Sequence, residues 1–209
     1  HYLFDWEKEV AQYEKNKDSS AHHAREDSES FKKEIKRIQD GIILLKSDGD
    51  LLQSFMLMNR VMGRAIKMQG KSFSGWRLFQ IAFIVSQLGS VKERMQTVNQ
   101  DPLDSENYAD VLWFATGGGK TEAYLGLITI AMFYQRLNQR NYGVTAWLRF
   151  PLRMLSVQQF QRLSYVLGQA NEVKAEKGIP GHPFTVGYFT GGGTPGRISS
   201  TASYAANYY

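Results

Sequence analysis

An α/β protein with a parallel sheet and flanking helices, preceded by a helical N-terminal region, is predicted by three features of the 209 residues. From Ala109 onward, short apolar runs alternate with helix-length segments, the order that builds a parallel sheet covered by helices. A glycine-rich loop ending in Lys120-Thr121 separates the first apolar run from the first of those helices. Upstream of residue 70, apolar residues recur at spacings of three and four, which lays them along one helical face. The expected organisation is a helical region over 1–70 and an incomplete α/β lobe over 71–209.

Residues 1 to 30 are polar and charge-rich after an aromatic start at Tyr2, Phe4 and Trp6, and Asn16 to Glu29 reads as a solvated stretch. From Phe31, the positions Phe31, Ile35, Ile38, Ile42 and Leu45 form an apolar face. Ser47-Asp48-Gly49-Asp50 stops that helix, because Asp and Gly favour turn conformations. A second helix follows with Leu52, Phe55, Met58 or Met62, and Ile66 inward, completing a helical hairpin. The methionines Met56, Met58, Met62 and Met68 read as core filling. Gly70 to Gly75 breaks the pattern, Trp76 to Leu88 forms a further helix, and Val91 to Tyr108 reads as a polar connector. Asp110 to Phe114 has the apolar texture of a buried parallel strand. After the glycine loop come a helix from Glu122 to about Gln139, a strand near 144–148, a helix near 156–170 and a strand near 184–189.

Composition narrows the function classes. There are no cysteines, which excludes disulfides and thiolate metal sites. The histidines are His1, His22, His23 and His182; only His22 and His23 are adjacent, and they read as a solvated face, with no metal site expected there. A net charge of +5 leans toward a polyanionic partner. No apolar stretch is long enough to span a bilayer and the start lacks a signal-peptide pattern, so a cytoplasmic protein without a membrane partner is expected.

Ala115-Thr116-Gly117-Gly118-Gly119-Lys120-Thr121 carries the strongest chemical signal. Glycines let successive backbone N–H groups wrap a phosphate, and the helix behind them points its positive end at the same anion. Lys120 is placed to hold the β/γ-phosphates of ATP and the Thr121 hydroxyl to bind Mg²⁺, with Thr116, Gly117, Gly118, Gly119 and Glu122 around them. The general pattern would have glycine where Phe114 stands; the shorter form here resembles the loop of superfamily 2 helicases and translocases. Three further segments occur in the order those motors use. Arg77-Leu78-Phe79-Gln80 resembles an upstream element whose glutamine amide reads adenine, giving Arg77 and Gln80 as nucleotide contacts. Arg149, Arg153 and Ser156 follow the second predicted strand, where phosphates of a nucleic acid would be met. Gly192, in Thr190-Gly191-Gly192-Gly193, offers backbone N–H groups after the third.

Taken with the Thr121-Glu122-Ala123-Tyr124-Leu125 and Leu148 to Arg162 segments, these motifs resemble the large helicase-like ATPases of bacterial anti-phage defence, in particular the helicase subunit of DISARM systems. The resemblance covers most of residues 31 to 196. It implies a first RecA-like motor lobe that uses ATP and Mg²⁺ to move on DNA beside a partner subunit. No Asp-Glu dipeptide occurs, so the acids that would complete Mg²⁺ binding and activate water are not found, and these residues alone are expected to bind ATP without turning it over well. Two other readings remain open. A small P-loop kinase explains the loop but not the arginine-rich segment. A scaffold subunit with a P-loop remnant would grip nucleic acid without hydrolysis.

Overall fold

A computed structural model describes residues 2–15, 21–70, 72, 74–96, 110–112, 117–150 and 153–188. Among them the regular structure is entirely helical: α1 (Tyr2–Lys15), α2 (Ala21–Ser47), α3 (Gly49–Met68), α4 (Leu78–Ser86), α5 (Leu88–Gln96), α6 (Lys120–Leu137) and α7 (Arg153–Glu176). α1 lies on α2, and α2 packs on α3, α4 and α5. α3 is the central element, seated against both α6 and α7. One core therefore runs across residue 70, joining Leu51, Met58, Val61 and Met62 of α3 to Ile130 and Phe133 of α6 and to Val166 and Val173 of α7.

This overturns the expected α/β fold. No strand and no sheet occurs among the described residues. Residues 110–112, 144–150 and 183–188 are irregular, while Trp113 and Phe114 lie outside the described residues. An apolar run becomes a strand only when a neighbour takes up its backbone N–H and C=O groups. At Phe184 those groups are already occupied. Its N–H donates to Oδ1 of Asn171 at 2.7 Å, and its carbonyl accepts from Nδ2 of the same amide at 3.0 Å. In the 144–150 segment, Val144 is 73% exposed and Trp147 77% exposed, whereas a buried strand would need both faces covered. Leu148 and Val186 rest on the helical core, so the apolar character of these runs serves packing against helices.

The helical hairpin forms as expected, with its inward face displaced. Leu52 is exposed and Leu51 fully buried; Phe31 and Ile42 are also exposed. Of the four methionines read as core, Met58 and Met62 are buried, while Met56 and Met68 are exposed. The charge-rich segment after residue 20 is helical from Ala21, and Val91 to Gln96 belongs to α5 and not to a connector. No helix among the described residues is long and apolar enough to cross a membrane. His22 and His23 are exposed, and the Nδ1 atoms of both stand beside Glu26, at 3.4 and 3.5 Å from its Oε2.

One residue separates α2 from α3. Asp48 has extended backbone (φ −120°, ψ 102°) and caps α3 by accepting the Leu51 N–H at 3.0 Å. The same carboxylate accepts from the Tyr134 hydroxyl at 2.9 Å and pairs with Lys92 Nζ at 2.8 Å, tying the hairpin to α6 and α5. Burial pushes the Asp48 carboxyl up, but these donors outweigh burial and hold it below its ordinary 3.8. Because the folded-state value is depressed, the unfolded chain takes up the proton first as pH falls. The stabilisation is therefore present above about pH 4 and is lost as pH drops through the depressed folded value. Asp48→Asn keeps a capping oxygen but removes the charge. Urea titrations of both proteins are expected to show a stability gap at pH 7 that closes below pH 3.8; an equal gap at both pH values would count against this role.

Candidate functional site

The glycine loop and the start of α6 form the best-organised polar site among the described residues. Gly119 is the N-cap of α6 in left-handed conformation (φ 92°), and Gly117 is left-handed as well (φ 78°). A side chain at Gly119 would be strained by that φ alone, and its Cβ would stand 2.6 Å from Nε2 of Gln80. The loop thus needs glycine at 119 for its turn and for the approach of Gln80.

Arg77 and Gln80 come to this loop from the start of α4. Arg77 donates from its guanidinium to the Gly118 carbonyl at 2.8 Å. Gln80, buried to 5% exposure, donates from Nε2 to the Gly119 carbonyl at 2.8 Å and accepts the Arg77 N–H on Oε1 at 2.8 Å. Both carbonyls are thereby taken by α4 donors, which fixes the peptide planes of the turn. Trp76 anchors this arrangement: its Nε1 donates to Asn59 Oδ1 of α3 at 2.6 Å, and its ring lies against Gly126 of α6.

On the α6 side, Lys120 and Thr121 open the helix, both half-buried. The Thr121 Oγ1 accepts the Tyr124 hydroxyl at 3.0 Å, which keeps a lone pair on Oγ1 and leaves its own proton to donate. Glu122 pairs with Arg162 of α7, both partly buried. The first-turn N–H groups of a helix have no intrahelical acceptors and carry partial positive charge, so this end of α6 favours an anion.

The sequence-derived site residues divide by location. Arg77, Gln80, Gly117, Gly118, Gly119, Lys120, Thr121 and Glu122 are brought together here. Thr116 lies outside the described residues, as does Gly192. Arg149 is exposed on the 144–150 segment, and Ser156 is half-buried in the first turns of α7. Arg153 begins α7, and its side chain lies outside the description. Gln80, read from sequence as an adenine contact, is seen engaging loop backbone. Two participants were missed by sequence reading. Tyr124 sits three positions after Thr121, a spacing that places both on one helical face. Arg162 lies forty residues from Glu122, and no local pattern could have paired them.

Comparison with curated proteins adds a relationship. The chain is 31% identical over 182 residues to DISARM protein DrmA of Bacillus paralicheniformis, an alignment that takes in 75% of this chain. This chain is a relative of a DISARM protein. The resemblance to DISARM proteins drawn from the motifs is borne out at that level. The chain spans 16% of the length of DrmA. No protein-family model matches the chain, and no solved structure matches it.

Proposed function

We propose that this chain is the nucleotide-phosphate-binding part of a DISARM-type anti-phage protein, an ATP-driven motor of the superfamily 2 kind that acts on DNA. The observation that supports it most is the convergence of Arg77 and Gln80 from α4 onto the carbonyls of Gly118 and Gly119, at the open end of α6. Two left-handed glycines, a lysine and a threonine hydroxyl at a helix N-terminus form a donor set suited to a polyphosphate and its magnesium ion. The magnesium ion would neutralise charge on the phosphates. The chain's own contributions are positional. Arg77 and Gln80 hold the turn, the first N–H groups of α6 face the anion, Lys120 supplies a compact charge, and Thr121 offers an oxygen to the metal. Relatedness to DISARM protein DrmA supports the defence role. DNA contact is assigned to exposed Arg149 and to the start of α7 with Arg153 and Ser156, and a further subunit of the defence system is the expected partner.

The test is ATP hydrolysis by the full-length protein, with and without single-stranded and duplex DNA, beside Lys120→Ala. DNA-stimulated turnover is expected, reduced by roughly a hundredfold or more in the variant, the scale of losing one preorganised charge contact in a transition state. Binding of ATP without turnover under any condition would favour a scaffold that grips nucleotide or nucleic acid without hydrolysis.

A further inference from the structure

The start of α6 carries an electrostatic difficulty. Glu122 is three residues after Gly119, and its Oε2 lies 3.4 Å from where a Cβ on Gly119 would stand. A carboxylate this near the turn repels any polyphosphate bound there. Lys120, two residues earlier, adds one positive charge to the same end of the helix. Arg162 reaches across from α7 and pairs with Glu122 side chain to side chain. The pair is about three-quarters shielded, with Arg162 at 27% and Glu122 at 22% side-chain exposure. Screening by water and salt is correspondingly reduced compared with an exposed pair.

We propose that Arg162 is a positioning residue of the phosphate site: by holding and neutralising Glu122, it sets the potential at the loop and so decides how much anionic charge the site accepts. This deepens the phosphate-loop reading and rests on it. Arg162 does not touch the ligand; it acts through Glu122. Its effect therefore grows with the charge of the ligand, which a purely structural bridge between α6 and α7 would not do.

The experiment uses the full-length protein and isothermal titration with inorganic tripolyphosphate, pyrophosphate and phosphate as probes. Arg162→Gln is expected to weaken tripolyphosphate binding by about tenfold, as one nearby unit charge of partly screened strength would, and pyrophosphate by less. Glu122→Gln, with Arg162 kept, is expected to tighten tripolyphosphate binding several-fold, and this variant serves if Arg162→Gln does not fold. In the double variant the affinity should return to at least the wild-type value. Loss in Arg162→Gln that is equal for all three anions, or that persists in the double variant, overturns the proposal, as does weaker binding in Glu122→Gln. If the wild type binds tripolyphosphate in a Lys120-dependent way while Arg162→Gln changes nothing, this inference alone falls. If the wild type binds none of the probes, the phosphate-loop reading falls and takes this inference with it.

Discussion

Phe133→Ala is expected to destabilise the protein by about 3–5 kcal/mol, the range for truncating a fully buried aromatic side chain. Among the described residues Phe133 is the largest side chain with no exposed surface, and its ring meets Phe184 edge to face, with centroids 5.3 Å apart at 76°. That pairing adds to the loss of buried area and joins α6 to the 183–188 segment. The Arg136 guanidinium lies over the same Phe184 ring, 5.1 Å from its centroid, so removing Phe133 loosens a set of three side chains in contact. Urea unfolding followed by far-ultraviolet circular dichroism would read the effect as a lower midpoint at unchanged slope. Phe31→Ala is the control: Phe31 is 39% exposed, and a change within about 1 kcal/mol is expected there. Equal effects at the two positions would contradict the observed core.

The second large effect is a contrast of sign between two identical substitutions. Gly41→Ala is expected to lose about 2 kcal/mol or more, and Gly168→Ala to gain about 0.5–1 kcal/mol. Alanine is the better helix former at both sites, so propensity alone predicts a gain at each. Packing decides otherwise at Gly41. It is buried in α2 where α4 crosses, and a Cβ there would stand 2.0 Å from the Val85 carbonyl oxygen and 2.9 Å from its carbonyl carbon. Backbone cannot move aside as a side-chain tip can, so the two helices must part. Gly168 faces open space on α7, with nothing within 4 Å. Thermal or urea unfolding of the two variants checks the pair; a gain at Gly41 would mean that α2 and α4 do not approach as described.

These contrasts show which parts of the fold were legible beforehand. The spacing of Ile35, Ile38 and Leu45 correctly marked α2 as amphipathic, yet it placed Phe31 and Ile42 inward as well. A helix's apolar stripe is wider than the strip its neighbours cover, and only the neighbours select within it. Leu51 and Leu52 illustrate the same ambiguity: they are adjacent and chemically identical, and the packing of other helices around α3 buries one and leaves the other exposed. Gly41 gave no signal, since a glycine inside a helical pattern reads as a weakness until a second helix is seen against it.

The candidate site divides along the same line. Glycines followed by Lys120-Thr121 announce an anion-binding helix start, because the chemistry lies in consecutive residues and their backbone. The turn near residue 48, the break near residue 70 and the helix leaving the loop are equally local, and the sequence by itself determined them. Tertiary structure decided the rest. Whether the runs near 110, 144 and 184 would be strands depended on what met their backbone, and at Phe184 that was the side-chain amide of Asn171. Whether Gln80 would hold the loop, and whether Glu122 would stand alone or beside Arg162, depended on where α4 and α7 came to rest. Local pattern records what a residue can do with its near neighbours in the chain; burial, ladder pairing and ion pairing are settled by residues far away in sequence, so they exist only once the helices have packed.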